Sequence, residues 1–445
     1  MNIALAHYRI NDTDGVSLEM QKWYECLTKL GHQVIYITGS AQSEQNYHID
    51  GIHFHDELNL KINQNCYLSF NDYSRPDELK DLIFKRADNI EKSLDKIVKE
   101  KKIECIFVAN ILSLGWNLPA SIAFTNYAKK NKKIKFICVN SDIYWERELY
   151  SHPVVEFVKE ILDNYLLPDL FNIKHYVISN LARRELLKRR GLYSDVLYKA
   201  INFNNYLQKD EKIINEIRNY IGTAENDIII FNPSRIAPRK TIEFSVDFIA
   251  ELEALKTEYV GRSLYNGKVL SEDSKFHLLL SGIDDSLGSD YFSELNKKMK
   301  NINNTYINRI IGNKRQEEPE KKYSYMDAYY LSDAVIVSSI LEGWGNHILE
   351  ASLVKKPLTI FEYPVYKNDI KKLGLKLCLL GSKYYDVKPL RIIPQEAVKK
   401  AARDLLEVLS DQEKYNNYVN KNYEICNKKF SFDTLNGNLQ KMLRF

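Results

Sequence analysis

The stretch Leu341-Glu342-Gly343-Trp344-Gly345-Asn346-His347-Ile348-Leu349-Glu350 decides how the second half of this chain is read. It follows the apolar run Ala334-Val335-Ile336-Val337 and leads into Ala351-Ser352-Leu353-Val354. A short apolar run, a glycine-rich turn and a partly apolar stretch predict strand, tight loop and helix. Such a turn offers free backbone N–H groups at a helix N-terminus, where a phosphate sits favourably. Glu350 lies eight positions after Glu342 and one helical turn past Asn346, within reach of hydroxyls beside that phosphate. A phosphate cradle with a nearby hydroxyl acceptor suits a nucleotide or a nucleotide sugar. The plain alternative is a strand-to-helix turn of the kind most α/β proteins contain.

A second element, Asn232-Pro233-Ser234-Arg235-Ile236-Ala237-Pro238-Arg239-Lys240-Thr241, follows the strand-like run Asp227 to Phe231 and opens a helix over Ile242 to Leu252. A lysine at a helix start is opposed by the helix dipole. An anion between Arg235, Lys240 and the glycine-rich turn would reverse that penalty. Charge-assisted contacts to a diphosphate are of this kind.

Outward from these elements the chain alternates strand-like and helix-like segments. In the first half Ile3 to Tyr8, Gln33 to Ile37, Cys105 to Val108, Ile134 to Val139, His175 to Ile178 and Val196 to Tyr198 read as strands, with helices at Val16 to Leu30 and Pro119 to Lys129. Strands in the second half are expected at Asp227 to Phe231, Phe276 to Leu280, Ile307 to Ile311, Ala334 to Val337 and Leu358 to Ile360. Short apolar runs separated by helices argue for parallel sheets covered on both faces. The expected fold class is α/β, with two doubly wound Rossmann-like domains facing a cleft. The chain turns polar over Asn204 to Asn226, which sets the boundary near residue 205: an N-terminal domain over 1–205 and a C-terminal domain over 206–431. The last helix, about 432–445, is expected to pack back on the first domain. Residues 40 to 80 read as irregular loops rich in Asn, Tyr and His.

At 445 residues the chain is too long for one ordinary core. A net charge of +4 excludes a strongly basic nucleic-acid binder. No N-terminal apolar h-region is present, and no apolar run approaches the roughly 20 residues that span a bilayer. Six scattered cysteines without a C-x-x-C pair fit buried thiols in a reducing cytoplasm.

The order Arg235-x4-Lys240, then Glu342-x7-Glu350, on two successive α/β halves resembles the retaining nucleotide-sugar glycosyltransferases of the GT-B class, in the large family four (glycosyl transferases group 1). The likeness extends to Thr13-Asp14-Gly15-Val16, Asp142-Ile143-Tyr144-Trp145-Glu146-Arg147, Tyr323 to Tyr329, and Glu362-Tyr363-Pro364-Val365-Tyr366 with Asp369-Ile370. It implies transfer of a hexose from a nucleotide diphosphate sugar to a hydroxyl acceptor with retention of configuration. Arg235 and Lys240 would hold the donor diphosphate and stabilise the departing charge. The amides from Gly343 through Gly345 to Asn346 would face the phosphates and the sugar. Glu350 would accept from the ribose hydroxyls, and Glu342 would lie beside the transferred sugar. Gly15 would let the first-domain loop approach the donor. Relatives often carry histidines just before the Asp of the Asp142 segment; here Val139, Asn140 and Ser141 stand there. Asn140 and Asp142 become the acceptor-side candidates for a catalytic or sugar-positioning role, with helix capping as the plain role for Asp142.

The resemblance implies no cofactor and no bound metal, with a UDP-sugar favoured as co-substrate and a GDP-sugar as the alternative. Asp12-Thr13-Asp14 reads as a polar turn, and the nine histidines form no ligand cluster. His347 reads either as a sugar contact or as a solvated first-turn residue, and His7 as a core or loop-edge residue. A small polyol, a sugar phosphate, a glycan and a lipid headgroup all suit the acceptor. A lipid acceptor would add peripheral membrane contact. The sequence specifies no oligomeric state. Two rival functions share the architecture: a sugar-nucleotide 2-epimerase and a non-catalytic sugar-nucleotide binding protein.

Overall fold

The computed structural model describes residues 1–10, 15–285 and 290–445. The expected turn at Asp12-Thr13-Asp14 therefore lies outside the described residues, as do Thr13 and Asp14 of the quoted glycine turn. The chain divides into two compact units: Met1–Ala200 together with Phe432–Phe445, and Ile201–Ser431.

The first unit is built on a seven-stranded parallel sheet. Its strands are β1 (Asn2–Ala6), β2 (Gln33–Thr38), β3 (Asn46–His48), β4 (Cys105–Ala109), β5 (Lys135–Asn140), β6 (Ile173–Val177) and β7 (Ser194–Val196), in the spatial order β3-β2-β1-β4-β5-β6-β7. Successive side chains of a strand point to opposite faces. Ala4, Ile106, Val108, Phe136 and Cys138 accordingly join one core with Ile83, Ile90 and Phe124 of the helices Pro76–Glu100 and Leu118–Lys130. Ile3, Leu5, Phe107, Ile137 and Val139 join another, with Met20 and Trp23 of the helix Gly15–Lys29 and Leu435 and Leu439 of the helix Phe432–Leu443. The C-terminal helix completes the second face because its apolar stripe meets the first helix there. Full burial of each of the Ile, Leu, Val, Phe and Met side chains contributes roughly 1.5–3 kcal/mol.

The second unit carries β8 (Ile228–Asn232), β9 (Phe276–Leu280), β10 (Asn303–Tyr306), a short parallel pair β11 (Ile311–Gly312) and β12 (Tyr323–Ser324), then β13 (Ala334–Val337), β14 (Leu358–Ile360) and β15 (Cys378–Leu379). Its six-stranded sheet has the order β10-β9-β8-β13-β14-β15, with every pairing parallel. In register, Ile230 faces Ala334 and Phe231 faces Val335. The chain therefore leaves β8 and β13 side by side, at the same edge of the sheet. That juxtaposition brings the loops after β8 and β13, which carry the candidate site residues, together.

Three expectations need correction. The strand expected at Ile307 to Ile311 is Asn303–Tyr306, a half-buried edge strand whose polar residues conceal it. The last strand of the first sheet is Ser194–Val196, not Val196 to Tyr198. Residues 40 to 80 are not irregular: besides β3 they hold the helix Glu57–Asn63, capped by Asp56 accepting from the Asn59 N–H. All six cysteines are buried and unpaired. Among the described residues no helix is long and apolar enough to cross a membrane.

Candidate active site

The two loops at the shared edge are stitched together by small side chains. Asn232, the last residue of β8, accepts from the Ser234 N–H at 2.9 Å and donates to Ser245 Oγ at 3.0 Å. Ser245 Oγ meets Ser338 Oγ at 3.0 Å, just past β13, and Ser338 Oγ donates to the Lys240 carbonyl at 3.1 Å. Thr241 donates to the Ser338 carbonyl at 2.6 Å, and the Ile340 N–H to the Arg239 carbonyl at 3.1 Å. Thr241 has a left-handed φ of 42°, which breaks the 3-10 turn Pro238–Lys240 from the helix Ile242–Leu255. Lys240 thus stands just ahead of that helix, its side chain turned toward the loop after β13.

There Lys240 Nζ lies 2.6 Å from Glu342 Oε1, with the two side chains 12% and 13% exposed. The helix-dipole penalty on Lys240 is met within the protein by a carboxylate 102 positions away. Burial acts to raise the Glu342 pKa. The Lys240 ammonium, followed by His347 and the Ser339 hydroxyl, outweighs it and holds the carboxyl below its ordinary value. Burial, with Arg239 and Arg235 nearby, draws Lys240 below the usual lysine value against the pull of Glu342. His347 is 7% exposed rather than solvated, which corrects one of its two expected roles. Burial, aided by Lys240, lowers its pKa to about 4, so the ring is neutral at pH 7, and among the described residues its Nε2 makes no hydrogen bond.

The glycine turn is held from behind. Gly345 has φ 119°, and a Cβ there would stand 2.2 Å from the Tyr363 hydroxyl, which donates to the Trp344 carbonyl at 2.7 Å. Asn346 opens the helix Asn346–Leu353, and Gly343 is exposed in the turn before it. Glu350, one turn on, accepts from the Tyr329 hydroxyl at 2.7 Å, and Tyr325 reaches the same carboxylate. Tyr329 is fully buried edge-on against Phe231 of β8. Arg235 is 57% exposed and pairs with Asp285 at 3.1 Å. Gly282, after β9, backs the Arg235 loop so closely that a Cβ would stand 1.9 Å from the Ser234 carbonyl oxygen.

The candidates of the first unit sit on separate partners. Asn140, at the end of β5, is 1% exposed and donates to His175 Nδ1 at 3.2 Å. His175 Nε2 meets the Pro168 carbonyl at 3.0 Å and must donate to it, so Nδ1 is the accepting nitrogen. Asp142 pairs with Arg147, and its backbone carbonyl accepts from Ser113 Oγ at 2.7 Å. Its carboxylate does not cap the turn Tyr144–Glu146; the Ile143 N–H there is bonded by Glu146 at 2.8 Å. Gly15 opens the first helix, and a Cβ there meets no described atom within 4 Å. His7 is buried and donates through Nδ1 to the Ala109 carbonyl at 2.9 Å.

The structure thus gathers Lys240, Glu342, His347 and the Gly343–Asn346 turn at one point, and sets Glu350 one helical turn away. Tyr329, Tyr363, Gly282, Asp285 and Ser338 belong to this framework and were not singled out from sequence. Tyr329 and Tyr363 fall inside quoted motifs. Gly282, two positions after an apolar strand, carries a weaker signal. Chemically, a buried ammonium can stabilise developing negative charge, as can the N–H groups at a helix start, and a fixed carboxylate can accept from hydroxyls.

No protein-family model matches the chain. It is 33% identical over 415 residues to a mannosylglucosylglycerate synthase of Petrotoga mobilis, covering 92% of this chain and 94% of that protein. It is 32% identical over 436 residues to the mannosylglucosylglycerate synthase of Thermotoga maritima, covering 98% of each. Among solved structures it resembles Anabaena Alr3699/HepE in complex with UDP-glucose, with a TM-score of 0.60, 13% identity and coverage of 100% and 99%, a likeness of fold.

Proposed function

This chain belongs to the family of the mannosylglucosylglycerate synthases, GT-B glycosyltransferases of family four that move a sugar from a nucleotide sugar to an acceptor, and from that premise we propose its reaction. It transfers a mannosyl group from a nucleotide diphosphate mannose to a hydroxyl of glucosylglycerate, with retention at the anomeric carbon and without a metal ion. The product named for both relatives motivates this choice of sugar and acceptor.

The carrying observation is the Lys240–Glu342 pair between two strand-end loops. As the sugar–oxygen bond breaks, negative charge grows on the leaving diphosphate. Lys240, Arg235 and the amides of Gly343 to Asn346 stabilise that charge, the role a metal fills elsewhere. A donor phosphate competes with Glu342 for the ammonium, and Glu342 orients the transferred sugar. Glu350, fixed by Tyr329, accepts from the ribose. In this reading the Ile201–Ser431 unit binds the donor, and Asp142 and Asn140 are the acceptor-side groups.

The test offers UDP- and GDP-linked mannose and glucose with glucosylglycerate, with and without saturating EDTA, and reads the product's anomeric configuration by NMR. An EDTA-resistant α-mannoside from an α-linked donor supports the reading. Loss of activity in EDTA overturns the metal-free mechanism, and an inverted product overturns retention. Conversion of the donor to an epimer without acceptor identifies the epimerase instead. Donor binding without turnover across a broader acceptor panel identifies a binding protein.

A further inference from the structure

A concavity lies within the Ile201–Ser431 unit, lined by none of the residues of the candidate active site. It is a cavity of about 520 Å³ whose lining includes Lys209, Lys355, Lys356, Tyr415, Asn416 and Asn420. Lys240 and Glu342 follow the carboxyl ends of β8 and β13, whereas Lys355 and Lys356 precede the amino end of β14. The strands are parallel, so this cavity opens at the other edge of the sheet, about one strand length (roughly 13 Å) from the transfer site.

Three lysines line it, with no Asp or Glu among its described lining residues. The Lys356 ammonium donates to the Ser332 carbonyl at 2.5 Å, a neutral acceptor. Burial, together with Lys209 and Lys268, lowers its pKa to about 8 against the pull of Asp333 and Glu211. An anion would relieve that cost. Lys355 is exposed, with its backbone in the left-handed region at φ 54° and its carbonyl held by the Tyr415 hydroxyl at 2.9 Å. Tyr415 stacks on Tyr265 with centroids 3.8 Å apart and planes 9° apart, so that wall is fixed. Asn416 and Asn420 lie one turn apart on the helix Gln412–Phe430, both exposed, and offer amides from a single face. Lys209 pairs with Glu211 at 2.6 Å, but both are well exposed, so the pair is weak and yields to a better anion. The volume fits a small ligand and exceeds what a bare phosphate fills.

We propose that this cavity binds a small phosphorylated metabolite. Lys209, Lys355 and Lys356 hold the phosphate, and Asn416 and Asn420 bond its hydroxylated body, at the sheet edge opposite the transfer site. The experiment follows thermal unfolding of the full chain with inorganic phosphate, a hexose 6-phosphate and a sugar acid at constant ionic strength. The parent is compared with Lys209→Gln/Lys355→Gln, two exposed positions whose loss spares the fold. The hexose phosphate should stabilise the parent saturably and more strongly than inorganic phosphate. The double variant should bind it at least tenfold more weakly, with stabilisation by a nucleotide diphosphate unchanged. Absence of saturable stabilisation in the parent, equal affinity in the double variant, or a response to the sugar acid alone would each overturn the proposal.

Discussion

Lys240 and Glu342, 102 positions apart in sequence, form a 2.6 Å ion pair with both side chains almost out of water. Removing one partner of a buried pair costs ~3–5 kcal/mol, because the other charge is stranded, whereas replacing both is often near neutral. Lys240→Met should therefore destabilise more than Lys240→Met/Glu342→Gln, measured by urea unfolding. Equal destabilisation would mean that Glu342 is not held by Lys240.

The same lysine should matter more to turnover than its neighbour in the motif. Lys240 is buried against Glu342 of the glycine-turn loop, while Arg235 is 57% exposed and salt-bridged to Asp285, where screening weakens its field. Lys240→Ala should lower kcat about 10²–10³-fold, the usual cost of one oriented charge stabiliser. Arg235→Ala should cost roughly tenfold, mostly in donor KM. A larger loss from Arg235→Ala would place the diphosphate on the outer loop.

Glu350 and Tyr329 make a pair with a different kinetic signature. The 2.7 Å hydrogen bond sets the carboxylate from the protein side. Glu350→Gln should raise donor KM with little change in kcat, while Glu342→Gln should lower kcat with little change in donor KM. Tyr329→Phe should raise donor KM by a smaller factor and narrow the preference for a ribose over a 2′-deoxyribose donor. A purely structural tyrosine would leave that preference untouched.

Much of this was legible in the sequence, for reasons the structure makes explicit. Parallel strands buried on both faces read as continuous apolar runs, as in Cys105–Ala109. Edge strands do not: Asn303–Tyr306 is half-buried and polar, and the apolar signal lies just beyond it at Ile307. The glycine turn was visible because its chemistry demands glycine at φ 119°. The partner of Lys240 was not, since a dipole argument calls for a negative charge without saying whether ligand or protein supplies it. The solvated alternative for His347 rests on its place in a first helical turn, where a polar residue is usually exposed. Its burial depends on Tyr363 and the loop before it, which no local pattern encodes.

Gly345 tests the turn directly. A Cβ there would stand 2.2 Å from the Tyr363 hydroxyl, and its φ of 119° is one that L-residues rarely adopt. Gly345→Ala should destabilise the protein and abolish donor binding by isothermal titration. Adding Tyr363→Phe removes the nearest atom but not the backbone strain, so recovery should be partial. Full recovery would assign the whole effect to the hydroxyl.

The last prediction concerns pH. His347 and His175 are both buried, and burial lowers the pKa of each to about 4, against an unfolded value near 6.5. The native state keeps both rings neutral while the unfolded chain takes up protons, so stability falls as pH drops through 6.5 and levels near 4. Each ring contributes up to about 1.4 kcal/mol per pH unit within that window, ~3 kcal/mol per ring across it. Glu342 acts lower: its folded pKa lies below the ordinary carboxylate value, so its contribution is present above that value and is lost as pH falls through the folded one. Urea unfolding at pH 7, 6 and 5 should show the steep loss in the parent. His347→Gln, uncharged throughout, should flatten it by about the share of one ring. An unchanged slope in His347→Gln would mean that His347 is protonated or exposed in the folded protein, and the neutral ring beside Glu342 would have to be abandoned.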